Sequence, residues 1–322
     1  MFFAIILNVK RKWIKCYIIV YLCFIVNNLI LFSLLNFNRA YYIIKLICNG
    51  GNQVYKYTGR VHMAIATFKR YEKKYLITKE QLDSIMPTLL EYMRLDEFCI
   101  GGNEYRIYSI YYDTDNHDVI RQNSSKPVYK EKMRLRSYYD RKDPEDKIFM
   151  EIKKKSEGQG NKRRIKLRIK EIDPFVNEGI LPETKDYLSA QVAKELAYYF
   201  KRNPVHPALY VQYDRLALFG KEDKNFRMTF DRNVRVRRSN FVFGESDEDE
   251  LLLPENTYIM EIKILGAMPL WLTHLLSENG LFSRGFSKYG TKYKLDVKNG
   301  ELEYHMEDKN GNEVDFDYFE SL

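Results

Sequence analysis

The chain has 322 residues, 45% hydrophobic and 15% aromatic, which is enough to bury a large core. Its formal net charge is +8, but residues 1–62 contain eight Lys or Arg and no Asp or Glu, so the rest balances 44 basic against 44 acidic residues. That balance excludes the diffuse positive field of a nucleic-acid-binding protein. Only Cys99 follows residue 62, so no disulfide framework or cysteine metal site is expected and a cytoplasmic location is favoured.

Residues 1–62 are interpreted as an N-terminal extension to a main domain of residues 63–322. Residues 16–35 carry no charge and match the roughly 20 residues that cross a bilayer, so they are a candidate membrane anchor. Asn27 and Asn28 weaken this interpretation, and the basic residues before Cys16 would place the main domain outside the cytoplasm. The alternative is a misassigned start, with translation beginning at Met63. The sequence leaves both interpretations open.

The main domain opens with a predicted strand over residues 68–77 and a helix after it. Thr78 is the expected N-cap of that helix, and Gln81 three residues later completes a capping box. Strands are predicted at about 105–112, 128–138, 147–155 and 162–171, with turn-rich segments between them. This spacing is typical of an antiparallel meander.

The second half of the domain alternates helices and strands. A helix is predicted over 184–201, strands over 208–219, 225–231, 234–243 and 258–265, and a short helix over 269–279. The acidic stretch 245–250 is expected to be a solvated surface loop. Lys288 is expected just beyond the last helix, and Asn299-Gly300 and Asn310-Gly311 predict two terminal hairpins.

Six segments carry charged residues at every second position. They are Arg70-Glu72-Lys74, Lys132-Arg134-Arg136, Glu151-Lys153-Lys155, Arg164-Lys166-Arg168-Lys170, Arg227-Thr229-Asp231 and Glu261-Lys263. Successive side chains of a strand point to opposite faces, so the charges share one face and residues such as Met133, Ile152 and Ile262 share the other. For a single strand, a solvated surface is an equally good interpretation. Six such strands favour a sheet curved around a basic interior, which needs an anionic ligand because buried unpaired cations are costly.

Seven motifs in order resemble the vacuolar transporter chaperone (VTC) domain over about residues 66–295. They are FKRYEKKY (68–75), YYDT (111–114), KMRLR (132–136), FMEIK (149–153), YDR (213–215), MEIK (260–263) and FSKY (286–289). That domain is the catalytic part of polyphosphate polymerases, a branch of the triphosphate tunnel metalloenzymes. The related thiamine-triphosphatase and adenylate-cyclase branch carries Glu-x-Glu-x-Lys on its first strand, whereas this chain has Arg70-x-Glu72-x-Lys74, which favours the polymerase branch.

The resemblance implies a mainly β (α+β) fold, a closed antiparallel eight-stranded tunnel barrel with peripheral helices. It also implies a phosphotransferase that moves the γ-phosphate of ATP to a growing polyphosphate chain inside the tunnel, with Mn²⁺ or Mg²⁺ as cofactor. The implied binding partners are ATP and polyphosphate, and no binding of nucleic acid is expected. A tunnel triphosphatase acting on a small triphosphate and a non-catalytic polyanion-binding module are the alternatives.

The resemblance carries over to individual positions. The residues that resemble the family's catalytic, phosphate-contacting positions are Lys74, Arg134, Arg136, Lys153, Arg215, Arg227 and Lys288. Further substrate-binding candidates are Arg121, Lys155, Lys166, Tyr213 and Ser287. Glu261 resembles the metal-holding glutamate, whereas Glu72 and Glu151 are candidates either for assisting the metal or for neutralising neighbouring cations.

Overall fold

The structure is a computed structural model that describes residues 70–124, 128–156, 159–184 and 186–303. These residues form ten strands and six α-helices. The strands are β1 (Arg70–Thr78), β2 (Met93–Leu95), β3 (Tyr105–Asp113), β4 (Tyr129–Ser137), β5 (Lys147–Ser156), β6 (Gln159–Arg168), β7 (His206–Gly220), β8 (Arg227–Arg237), β9 (Glu250–Leu251) and β10 (Thr257–Leu265). The helices are α1 (Lys79–Tyr92), α2 (Asp118–Ser124), α3 (Ile172–Asn177), α4 (Tyr187–Arg202), α5 (Leu270–Glu278) and α6 (Lys288–Lys298).

All ten strands belong to one antiparallel sheet. Eight of them follow the order β1-β10-β8-β7-β3-β4-β5-β6, while β2 pairs with β7 and β9 with β8. The prediction of a mainly β fold with eight antiparallel strands and peripheral helices is therefore confirmed. The prediction of a closed barrel is wrong, because the end strands β1 and β6 form no ladder with each other within the described residues.

The sheet nevertheless curves around its charged face. The Nζ atom of Lys153 on β5 lies 3.7 Å from a carboxylate oxygen of Glu72 on β1, although five strands separate them in the sheet. A backbone ladder needs strands about 4.8 Å apart. Long charged side chains meet across the interior instead, so an ion pair joins the end strand β1 to β5, the strand next to the other end of the sheet.

The outer face of the sheet carries two apolar clusters, which four helices cover. Helices α1 and α5 cover β1, β10 and β8 in one cluster that includes Leu89, Met260 and Leu272. Helices α3 and α4 cover β4, β5 and β6 in a second cluster that includes Met150 and Leu196. Each large apolar side chain buried in this way contributes about 1.5–3 kcal/mol, so the two clusters hold the curved sheet in shape.

A third apolar cluster occupies one end of the inner face. Ile259 precedes Glu261 by two residues on β10 and therefore shares its face. It packs with Ile107 of β3 and with Tyr289 and Tyr293 of α6. Helix α6 thus covers the apolar end of the inner face, and its first residue, Lys288, reaches the charged end.

Several predicted elements need correction. Residues 225–231 and 234–243, predicted as two strands, contribute to the single strand β8, and α2 and α3 were not predicted. Lys288 does not follow the last helix but begins α6, and Asn299 is the C-cap of that helix instead of a hairpin residue. Helix α6 forms because Tyr289 and Tyr293, one turn apart, are both buried. The Asn310-Gly311 hairpin lies outside the described residues.

The acidic stretch 245–250 is only partly a surface loop. The carboxylate of Asp249 is buried, accepts a hydrogen bond of 2.6 Å from Nη1 of Arg237, and also accepts one from Gln212. Glu250 begins strand β9. The prediction of a fully solvated loop is therefore wrong, because a buried arginine needs a carboxylate partner.

No helix in the described part of the chain has the length and apolar composition needed to cross a bilayer. The candidate anchor at 16–35 and the expected domain boundary at 62–63 both lie outside the described residues. The division into an extension and a main domain therefore stays a prediction.

Candidate functional site

Charged side chains from each of the alternating segments meet on the inner face of the sheet. Strand register aligns Lys74 with Glu261, and Arg134 with both Tyr111 and Glu151. We call this surface the basic channel, defined by the cations Lys74, Arg134, Arg136, Lys153, Arg215, Arg227 and Lys288 and the carboxylates Glu72, Glu151, Asp231 and Glu261. All seven residues predicted as catalytic thus lie on the inner face, on five strands (β1, β4, β5, β7 and β8) and at the start of one helix, α6.

Glu151 is the buried carboxylate beneath the arginines of β4. Its side chain is 1% exposed, and its Oε2 atom lies 2.8 Å from Nη2 of Arg134 and 3.9 Å from Nε of Arg136. Lys162 and Arg164 of β6 approach its other oxygen, at 3.3 and 3.8 Å. The sequence left two roles open for Glu151, metal binding and neutralisation of neighbouring cations. Four cations around this one carboxylate fit the second role.

Asp231 plays the corresponding part for Arg215 and Lys288. Its carboxylate is 3% exposed and accepts hydrogen bonds from Nε and Nη2 of Arg215, at 2.6 and 2.9 Å, and from Nζ of Lys288, at 2.6 Å. The ring of Tyr213 lies under both cations, 5.2 Å from the Arg215 guanidinium and 4.1 Å from the Lys288 ammonium. The Tyr213 hydroxyl also accepts from Nη2 of Arg136 at 3.4 Å. Tyr213 therefore positions three cations at one point of the channel.

Lys288 is held there by the start of helix α6. The hydroxyl of Ser287, the N-cap, accepts the backbone N–H of Gly290 at 3.2 Å. Just before it, the carbonyl of Phe286 accepts a hydrogen bond from Nζ of Lys74 at 3.0 Å. The predicted substrate-binding residue Ser287 thus makes a capping contact that fixes the position of Lys288.

Lys74 lies between two carboxylates. Its Nζ atom is 3.5 Å from Glu72 and 3.8 Å from Glu261, while Glu261 also forms an ion pair with Lys263. Glu72 reaches Lys153 in addition. The network of ion pairs therefore runs from β5 across to β1 and β10.

Arg227 lies nearer the rim of the channel. Its Nη2 atom donates to the hydroxyl of Tyr105 at 3.2 Å and lies 3.5 Å from a carboxylate oxygen of Asp96. Its guanidinium stacks 4.9 Å from the ring centre of Phe219. With about a third of its side chain exposed, Arg227 is accessible to a ligand from solvent.

Three of the further substrate-binding candidates lie outside the centre of the network. Arg121 is on α2, where it donates to the carbonyl of Asn116 and pairs with Asp118, so its described contacts are within its own segment. Lys155 is exposed near the end of β5. Lys166 is exposed on β6, with its ammonium 5.7 Å from the ring centre of Phe149. Their roles stay predictions.

The crowding of cations shifts several pKa values. Burial lowers the pKa of Lys132 to about 8, and the positive charges of Lys74 and Lys153 add to this. Burial would raise the pKa of Tyr111, but Arg134 and Arg136 outweigh it and lower this pKa to about 8. All of these shifts favour less positive or more negative groups, as expected in a channel with excess positive charge.

Glu261 and Glu72 are the carboxylates best placed for the predicted divalent cation. Within the described residues, no group of three or more His, Cys, Asp or Glu side chains is arranged to hold a metal ion. Mg²⁺ usually binds one or two carboxylates together with substrate phosphates and waters, and two carboxylates on neighbouring strands fit that pattern. Burial raises the pKa of Glu261, but Lys263 and Lys74 outweigh this and lower it to about 2, so the carboxylate is ionised and able to act as a ligand.

Sequence reasoning missed three site residues. Asp231, Lys132 and Tyr111 were not assigned roles, although Asp231 and Lys132 belong to the alternating segments and so were expected on the inner face. The signal for Asp231 was its spacing of four residues from Arg227 on one face of the strand. Tyr111 is part of the YYDT motif, but it lies outside the alternating charged segments, so there was no reason in the sequence to assign it a role in the site.

The chain was compared with known families and structures. The family model described as the VTC domain matches residues 69–296. A solved structure of a presumed adenylate cyclase from Bacillus halodurans is 12% identical, over 68% of this chain and 95% of that chain, with a TM-score of 0.39, and this likeness is too distant to bear on activity. No match was found among curated proteins. Because the family match covers 228 of its 322 residues, the chain belongs to the VTC domain family.

Proposed function

We propose that the protein is a polyphosphate polymerase, which transfers the γ-phosphate of ATP to a polyphosphate chain held in the basic channel. The observation that carries the proposal is the Asp231 cluster, in which a buried carboxylate holds Arg215 and Lys288 against the ring of Tyr213. Membership of the VTC domain family supports a phosphate-transfer activity of this class.

The residue types suit phosphoryl transfer. That reaction asks little covalent work of a protein, and its catalysis depends on aligning the two phosphates and neutralising their charge. Arginine contacts phosphate through two parallel hydrogen bonds, whereas lysine acts as a point charge. Arg134, Arg136 and Arg215 would therefore fix the orientation of the donor and acceptor, and Lys288 would reach the transferred phosphate.

The buried carboxylates keep these cations in place before substrate binds. Arg215 donates Nε and Nη2 to Asp231, and its third nitrogen, Nη1, is the donor that we assign to a phosphate oxygen. Lys288 stands at the first turn of α6, where the partial positive charge of the helix N-terminus adds to its own. The site is thus preorganised for an anion, which lowers the cost of ordering it during the reaction.

A divalent cation held by Glu261 and Glu72 would neutralise further phosphate oxygens of the donor. Both glutamates lie within 4 Å of the Lys74 ammonium, at 3.5 and 3.8 Å, so Lys74 would have to share the phosphate oxygens with the cation. We assign Glu261 the larger part because it is the more buried of the two.

The test is to incubate the full-length protein with ATP and Mn²⁺ and to separate the products on a polyacrylamide gel. A ladder of long phosphate chains is the expected result, whereas free phosphate alone would identify a tunnel triphosphatase. Glu261→Gln should abolish turnover, and the matched variant Glu195→Gln, on outer helix α4, should not. Polyphosphate binding without turnover, in both wild type and Glu261→Gln, would show a polyanion-binding module and refute the proposal.

A further inference from the structure

Aromatic side chains cross the inner face at the rim of the basic channel. The ring centres of Tyr105 on β3 and Tyr138 just after β4 are 6.4 Å apart, and those of Tyr138 and Phe149 on β5 are 6.1 Å apart. Phe98 continues the series at 6.3 Å from Tyr105 and is 64% exposed. We call these four residues the aromatic row. Catalysis on phosphate alone gives no reason for such a row.

The aromatic row is continuous with the cations of the channel. The guanidinium of Arg164 lies 4.4 Å from the ring centre of Phe149, and the same arginine approaches Glu151. At the other side of the row, Arg227 donates to the hydroxyl of Tyr105. A ligand that stacks on these rings therefore has phosphate-binding side chains directly beside it.

A cavity of about 460 Å³ opens next to the row. Its lining includes Tyr138 and Phe149 together with Lys166, and also the carboxylates of Glu145 and Asp146. Small-molecule sites generally measure about 300–1,000 Å³ and combine apolar or aromatic walls with a few polar groups. Asp146 already pairs with Arg141, and Glu145 pairs with Lys170 and Arg168. The remaining lone pairs of these carboxylates are acceptors that suit the exocyclic amino group of a nucleobase.

We propose that this cavity binds the nucleoside of the donor nucleotide, with its base packed against the rings of Tyr138 and Phe149 and its phosphates directed past Arg164 into the basic channel. The inference rests on the proposed function, since it assigns the position of the donor in that reaction. Polyphosphate carries no aromatic group and gains nothing from the rings. The cavity therefore distinguishes donor from acceptor and makes this rim the nucleotide end of the channel.

Calorimetric titration of the full-length protein with two ligands tests the inference. One is the non-hydrolysable imido analogue of ATP, and the other is inorganic tripolyphosphate, which has the phosphates without the nucleoside. Stacking of a base on an aromatic side chain is worth about 1–3 kcal/mol, so Phe149→Leu should weaken the analogue by about fivefold to a hundredfold. Its affinity for tripolyphosphate should be unchanged, and Phe149→Tyr, which keeps a ring, should retain most of the affinity for the analogue.

Tyr138→Leu provides a second test, and Tyr198→Leu, at an exposed aromatic position of α4, provides the control. Retained tripolyphosphate binding shows that a variant is folded. The nucleoside site is refuted, although the basic channel stands, by either of two results. One is that Phe149→Leu and Tyr138→Leu both bind the analogue as tightly as wild type. The other is that both variants lose affinity for the analogue and for tripolyphosphate equally. If wild type binds neither ligand, the proposed function fails and this inference fails with it.

Discussion

Strand β5 presents two equally buried but chemically opposite faces. Met150 and Ile152 point outward and are at most 1% exposed, in the apolar cluster beneath helices α3 and α4. Glu151 lies between them, is equally buried, and points inward among four cations. Burial alone therefore does not separate the stabilising face of this sheet from the face that we propose for function.

The apolar clusters of the outer face have all their partners within the protein, whereas the inner face carries excess positive charge. Apolar contacts on the outer face need no further partner once the helices have packed. On the inner face, the basic channel has seven cations against four carboxylates. Burial, together with the neighbouring cations, lowers the pKa of Lys132 on this face. An anionic ligand should therefore stabilise the inner face selectively.

The sharpest test of the comparison is Glu151→Gln. Removing one partner of a buried ion-pair network leaves uncompensated charge and costs about 3–5 kcal/mol of the free energy of unfolding. Saturating tripolyphosphate should restore part of that loss, because the anion can pair with Arg134 and Arg136. Urea unfolding with and without the anion measures both effects, and Glu195→Gln on α4, whose partners are partly exposed, should cost about 1 kcal/mol or less. A Glu151→Gln variant as stable as wild type would remove the distinction between the faces.

Arg134→Ala and Lys288→Ala should lower turnover in proteins that still fold, because Glu151 and Asp231 each keep at least one other cationic partner. Removing one preorganised donor to a developing negative charge typically lowers the catalytic rate by about 10²–10³-fold. The initial rate of ATP consumption measures the loss, and Lys154→Ala, on the outer face of β5, is the control that should retain the wild-type rate. Unchanged rates in folded Arg134→Ala and Lys288→Ala proteins would contradict the assignment of the channel as the reaction site.

The affinity for tripolyphosphate should fall as the pH rises from 7 to 9. Lys132 and Tyr111 both have pKa values lowered to about 8, so above pH 8 the first loses its positive charge and the second gains a negative one. The protonated form of each group favours the anion. At one pH unit above the pKa of a group, protonating it on binding therefore lowers the affinity about tenfold. The affinity of Tyr111→Phe for tripolyphosphate should therefore fall less than that of wild type between pH 7 and pH 9, by a factor of about ten. Parallel pH profiles for the two proteins would exclude Tyr111 as a titrating group of the channel.

The smallest expected effect is on the outer face. Ile152→Val removes one buried methylene and should lower the free energy of unfolding by about 0.5–1.5 kcal/mol. Tripolyphosphate should not restore this loss, because the side chain lies on the face away from the channel. Restoration equal to that of Glu151→Gln would mean that the anion stabilises the whole domain without preference for the inner face.

Most strands were predictable because their signal is local. Strands β3, β4, β5 and β10 begin and end within three residues of the predicted bounds, and the Thr78–Gln81 capping box is present as predicted. Helix α6 was missed because it is mostly polar in sequence and depends on tertiary contacts of Tyr289 and Tyr293. The turn signal of Asn299-Gly300 was real, but it ends a helix, since asparagine and glycine suit helix ends as well as hairpins.

The sequence by itself determined that the strands have one charged and one apolar face, because side-chain alternation depends only on neighbouring residues. Only the tertiary structure decided which charges meet. Lys288 and Asp231 are 57 residues apart in the chain, and Lys74 and Phe286 are 212 apart. The curvature of the sheet and the packing of α6 bring such pairs together, and they also leave the sheet open where a closed barrel was expected. Contacts of this kind depend on the whole fold, so no local pattern contains them.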